Sequence, residues 1–150
     1  MSELEIRSIA LFFFLAFLDD KKGTELSQSV VKKLKKLWAA DKSVDHNISL
    51  ISECFMAWKN TIEEKGQVIG SVIASETWKL PNNVGLEAWK KFLQLESQEN
   101  VFPLIWTEIL GRSEEIVGKA LKVSQGTIRT RVSKGLIHLG SHCNTERANA

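Results

Sequence analysis

The sequence predicts an all-α fold, and three observations point to it. Two prolines and nine glycines in 150 residues leave long stretches without a helix breaker. Segment after segment places apolar residues three and four apart, the spacing of one helix face. No segment shows the Val and Thr alternation of a half-buried strand, which argues against a sandwich or barrel. With 43% hydrophobic and 25% charged residues, the composition is that of an ordinary globular protein. The length suits one or two small domains with a core of their own.

The first predicted helix runs from Glu3 to Leu18. Its run Ile9 to Leu18 is ten apolar residues, half of the roughly 20 that a bilayer requires, so a buried helix is expected and a membrane span is not. Acids flank it on both sides (Glu3, Glu5, Asp19, Asp20), unlike a signal peptide. Gly23 with Thr24 is expected to close this helix and cap the next, Glu25 to Trp38. There Lys32, Lys33, Lys35 and Lys36 surround Val31, Leu34, Leu37 and Trp38, and a solvated basic face is the plain reading. Asp41 to Asn47, with His46, reads as a polar loop, followed by helices over Leu50 to Lys65 and Gln67 to Trp78.

Pro81, Asn82, Asn83 and Gly85 make the clearest break. They divide the chain into a lobe at 1–79, a linker at 80–85 and a second lobe at 86–140, with a flexible tail at 141–150. In the second lobe Leu86, Trp89, Phe92 and Leu93 recur at helical spacing, and Pro103 fits the first turn of a helix carrying Ile105, Trp106, Ile109 and Leu110. Ser113 is placed to cap a third helix, with Glu114 and Glu115 at its positive end and Leu121 as its last residue. After Lys122 and Val123, Ser124 caps a fourth helix through Leu139, which Gly140 is expected to end.

Two helices joined by about three residues form the skeleton of a helix-turn-helix, whose second helix enters the major groove. In that second helix Ile128, Val132, Leu136 and Leu139 fall within an arc of about 80°, a core stripe. Thr130 and Lys134 lie opposite, Gly126 nearby, and Arg129 and Arg131 on the shoulders. Such a helix offers short polar groups to base edges and arginines to phosphates. Gln125 adds a side chain for base contact and Gly126 a place for close backbone approach. Charge agrees with this placement. Residues 1–100 carry 13 basic and 14 acidic groups, residues 101–150 carry 7 and 4, and no acid lies between Ser124 and Gly140.

The stretch from Ser113 to Leu136, SEEIVGKALKVSQGTIRTRVSKGL, resembles region 4 of the extracytoplasmic-function sigma factors, which reads approximately S-x-E-E-I-A-x-x-L-G-I-S-x-G-T-V-K-S-R-L-x-R-A. Ser113, Glu115, Leu121, Ser124, Gly126, Thr127 and Arg131 match, and the likeness extends over Leu86 to Gly140. Upstream, Ala10 to Asp20 followed by Glu25, Leu26, Ser27 and Gln28 resembles the first helix and the D-L-V-Q helix of the same family. Phe55-Met56-Ala57-Trp58 resembles its F-R-A-W. The resemblance implies a DNA-binding set of Ser124, Gln125, Gly126, Thr127, Arg129, Thr130, Arg131 and Lys134, and a polymerase-binding helix on which Glu25, Leu26 and Gln28 lie. The partners it implies are double-stranded promoter DNA and either the RNA polymerase core or an anti-sigma-like protein.

The sequence departs from the family at four places. Thr61, Ile62, Glu63 and Glu64 stand where basic and Asn residues handle the melted strand, and carboxylates there would repel phosphates. Gly118 and Gly135 each cost roughly 1 kcal/mol inside a helix relative to Ala. Lys122 replaces the turn Gly, which would put a bulky residue in a left-handed conformation. A sigma-like transcription regulator is therefore expected, with a sigma-shaped protein-interaction module that no longer binds DNA as the alternative. No enzyme is expected, since the chain has no phosphate loop, nucleophile elbow or paired carboxylates. No cofactor is implied. His138, His142 and Cys143 could share a helical face, yet three ligands beside a breaking Gly140 do not predict a metal site. Cys54 and Cys143, without CxxC spacing, predict no disulfide and a reducing cytoplasm.

Overall fold

The computed structural model describes residues 1–64 and 86–148, with side chains through residue 144. Among these residues there are seven α-helices, one π-helical turn and no strands, and no helix is long and apolar enough to cross a membrane. The predicted helix over Gln67 to Trp78 and the break from Lys79 to Gly85 lie outside the described residues.

Helix α1 (Glu3–Phe17) opens with a capping box: the Glu5 N–H donates to Ser2 Oγ, and the Ser2 N–H donates to the Glu5 carboxylate. Its phenylalanines bury several faces, as the apolar run predicted, with Ile9, Phe12, Phe13, Ala16 and Phe17 almost wholly enclosed. The helix does not end at Gly23. Leu18 takes the left-handed conformation at φ 50° and returns its N–H to the Phe14 carbonyl, and Asp19 then caps α2 (Asp20–Ala40) by accepting from the Lys22 N–H. Gly23 lies inside α2, where it packs against the backbone of α1. Asp19 displaced the expected Gly23–Thr24 cap because an ionised carboxylate is the stronger acceptor for a helix's first N–H groups.

On α2, Ser27, Val30, Leu34 and Trp38 form the buried stripe, and the four lysines are exposed as expected. Helix α3 (His46–Glu64) begins earlier than predicted, because Asp45 accepts from the Ile48 N–H at 2.9 Å and caps it. His46 is thus not a loop residue. Its ring stacks on Trp38 at 3.9 Å, and the Trp38 indole N–H donates to Ser49 Oγ.

Helix α4 (Glu87–Leu95) buries Trp89, Phe92 and Leu93, and the Trp89 indole N–H reaches the Leu15 carbonyl of α1. Helix α5 (Gln98–Leu104) starts well before Pro103, which sits near its end rather than in its first turn. Proline has no N–H to give the carbonyl four residues back and crowds it, and the backbone continues as a π-helical turn over Ile105–Ile109. Helices α6 (Glu114–Leu121) and α7 (Gln125–Ala148) follow. Helix α7 passes through Gly140 without a stop and runs beyond the expected end at Leu139 into the stretch read as a tail.

The two helical groups share one core. The Phe102 ring of α5 lies 4.9 Å from Phe12 of α1, and 5.1 and 5.4 Å from Phe55 and Trp58 of α3. Trp106 stacks on Phe12 at 5.3 Å. Arg112, in the loop before α6, donates to the Asn47 side chain of α3 at 3.0 Å. The helix-turn-helix is thereby held against the N-terminal helices along its apolar back, which leaves one face of the first half of α7 outward.

Candidate nucleic-acid interface

Ser113 caps α6 as predicted, its Oγ accepting from the Ile116 N–H at 3.2 Å. Lys122 ends the helix in the left-handed region at φ 58°, where the sequence placed the strain of a missing glycine. The chain then doubles back so closely that a Cβ on Gly118 would stand 2.9 Å from the Val123 carbonyl oxygen. The Val123 N–H closes the turn on the Gly118 carbonyl at 2.9 Å. Gly118 is therefore required by the turn, not merely a helix-weakening residue. Ser124 caps α7 as expected: its Oγ accepts from the Thr127 N–H at 3.1 Å and shares a hydrogen bond with the Thr127 hydroxyl at 2.8 Å.

Helix α7 seats Ile128 and Val132 in the core, but the stripe then differs from the prediction. Leu136 is 43% exposed. Gly135 takes the inner position instead, since a Cβ there would lie 2.8 Å from Leu104 Cδ1. The bare glycine lets α5 approach, and Leu139 rather than Leu136 continues the stripe half-buried.

On the outer side, Gln125, Gly126, Thr130 and Lys134 are exposed. Six of the eight predicted DNA-binding residues (Ser124, Gly126, Thr127, Thr130, Arg131, Lys134) line one broad groove of about 750 Å³. Its opposite wall comes from the start of α5: Ser97, Glu99 and Asn100. Sequence reasoning missed that wall, because Pro103 masked the true start of α5. Thr130 donates its hydroxyl to the Gly126 carbonyl at 3.0 Å and keeps acceptor capacity. Arg129 lies outside the groove and pairs with Glu114, both Nε and Nη2 at 3.0 Å from one carboxylate oxygen. Arg131 reaches towards Glu99 at 3.7 Å.

Of the predicted polymerase-binding residues, Glu25 and Gln28 are exposed and Leu26 is half-buried against the core. Leu26 and Gln28 lie on different sides of α2, because two residues span about 200° of a helix. Gln28 instead lines a 250 Å³ pocket between α1 and α2.

His138 bonds the Glu96 carboxylate, and no cluster of three metal-ligating side chains occurs among the described residues. Burial opposes charge on Glu96, yet the Asn100 amide, His138 and the Ser97 N–H hold its carboxyl below the usual range. Cys54 is buried, which pushes its thiol well up and keeps it inert, and Cys143 is exposed.

No family model matches the sequence, and no curated protein matches it either. Among solved structures, the chain is similar to the one in "Co-crystal structure of the sigma factor RpoE in complex with the anti-sigma factor NepR from Bartonella quintana", with a TM-score of 0.74. The match covers 94% of this chain and 92% of that one at 18% sequence identity, a likeness of fold. The all-helical arrangement of the described residues thus resembles the fold of that sigma factor.

Proposed function

We propose that this protein is a sigma-like transcription regulator that binds double-stranded promoter DNA through α7 and RNA polymerase through α2. The observation that carries the reading is the helix-turn-helix formed by α6 and α7, whose second helix buries Ile128 and Val132 while Gln125, Gly126, Thr130 and Lys134 face outward. Arginines stand on its shoulders, and the positive end of α7 favours a phosphate. The sigma-factor fold over nearly the whole chain supports the same reading.

Strand melting is not part of the proposal. Glu63 and Glu64 are exposed on the last turn of α3, and Lys59 is already paired with Glu63 at 3.8 Å. This surface repels a displaced strand. Mixed with core polymerase, the protein is expected to associate but to open promoters poorly.

The proposal is tested by duplex binding over a salt series. Replacing Arg129, Arg131 and Lys134 by Ala should weaken binding and flatten the log-log salt slope by roughly 0.9 for each phosphate no longer engaged. One observation favours the alternative, a protein-interaction module that no longer binds DNA: both shoulder arginines are engaged by carboxylates. A protein that binds no duplex at low salt, and captures an anti-sigma-like partner instead, would establish that reading.

A further inference from the structure

Resting on the DNA-binding reading above, we propose that Glu114 and Glu99 form a carboxylate latch that holds the two shoulder arginines of α7 away from DNA and so restrains its affinity. Each arginine has its own acid, and each acid comes from a different helix. Glu114 is the first residue of α6, where the positive end of the helix favours a carboxylate independently of any partner. One of its oxygens accepts from Arg129 Nε–H at 3.0 Å and lies 3.0 Å from Nη2 of the same guanidinium. Glu99 lies in the first turn of α5, across the groove from α7, and is 72% exposed on its side chain. Arg131 turns towards it and is left only 22% exposed.

Of the three basic residues on the first half of α7, only Lys134 makes no ion pair among the described residues. A phosphate approaching the groove therefore meets one unpaired cation, Lys134, and Arg131 already facing the exposed Glu99 carboxylate, while Arg129, outside the groove, is engaged by Glu114. Exposed ion pairs are weak enough for a phosphate to displace them. The displaced carboxylate then faces the backbone as a like charge, which adds repulsion to the broken pair. Glu99 and Arg131 also line a second groove of about 330 Å³, floored by Phe55, Trp58 and Phe102. The Glu99–Arg131 half of the latch thus lies at the seam between the helix-turn-helix and the N-terminal helices, where a change in their packing would reach it.

The test compares the full chain with Glu99→Gln, Glu114→Gln and the double variant, on a labelled mixed-sequence duplex over a salt series. Glu3→Gln serves as control, because it removes a carboxylate that pairs only within α1, with Arg7 at 2.7 Å. Each latch variant should bind about two- to fivefold more tightly. The double variant should also steepen the log-log slope by roughly 0.9 for each further phosphate engaged, a change that a merely structural role would not produce. Binding by the double variant where the unmodified chain shows none would support the latch most strongly. An equal gain with Glu3→Gln would overturn it by tracing the effect to net charge. Unchanged affinity in the latch variants, with weaker binding after Arg129→Ala and Arg131→Ala, would overturn the latch and leave the DNA reading standing. No duplex binding by any form would overturn both.

Discussion

A methyl group added at Gly118 would press on the Val123 carbonyl oxygen, a backbone atom that cannot swing aside, whereas one added at Gly23 would meet the α1 backbone no closer than 3.6 Å. Gly118 and Gly23 should therefore respond with opposite signs. Gly23→Ala is expected to raise stability by up to ~1 kcal/mol through helix propensity. Gly118→Ala should lose more to overpacking, ~1–3 kcal/mol, than that propensity returns. Lys122→Gly should stabilise the same turn by about 1 kcal/mol, because it relieves a side chain held at φ 58°. Thermal or urea unfolding of the three variants reads all of these, and a stabilised Gly118→Ala would contradict the turn geometry.

The elements show where local sequence was sufficient and where it was not. Helix α6, its Ser113 cap and the Ser124 cap of α7 were legible because each depends on hydrogen bonds spanning only a few residues. The true starts of α2 and α5 were not, because Asp19 competed with a glycine signal and Pro103 imitated a first turn. Gly140 imitated a stop in the same way, and nothing lies within 4 Å of where its Cβ would be. The groove wall from Ser97 to Asn100, and the partners of Arg129 and Arg131, depend on helices separated in sequence, which no local pattern reveals. One such contact predicts a pH effect. Glu96, 4% exposed on its side chain, ties the α4–α5 corner to His138 of α7. Its carboxyl is held below the unfolded value, so its contribution is present above that value and is lost as pH falls through the folded one. Glu96→Gln should therefore flatten the acid limb of the stability curve; an acid limb unchanged by the substitution would show that Glu96 does not bind α7 in its charged form.

For the whole molecule, the aromatic cluster of Phe12, Phe55, Trp58, Phe102 and Trp106 makes α1 and α3 depend on α5 and its π-helical turn, against which α7 packs at Gly135. Phe102→Ala should cost about 3–5 kcal/mol and lower the stability of both groups together, read as one shifted transition by probes in α1 and α7. Two separate transitions would contradict a shared core. Cleavage within residues 80–85 tests the division proposed from the sequence, and a fragment beginning at Leu86 should be less stable than the same helices in the full chain. The central claim, that this sigma-shaped molecule reads duplex DNA through α7, is tested most directly by selecting duplexes from a random pool with the full chain and with Gln125→Ala. The full chain is expected to enrich one short motif, and Gln125→Ala to relax preference at a single position within it, as removal of an amide contact to a base edge should. Enrichment of no motif, or of a motif that neither Gln125→Ala nor Thr130→Ala alters, would contradict it.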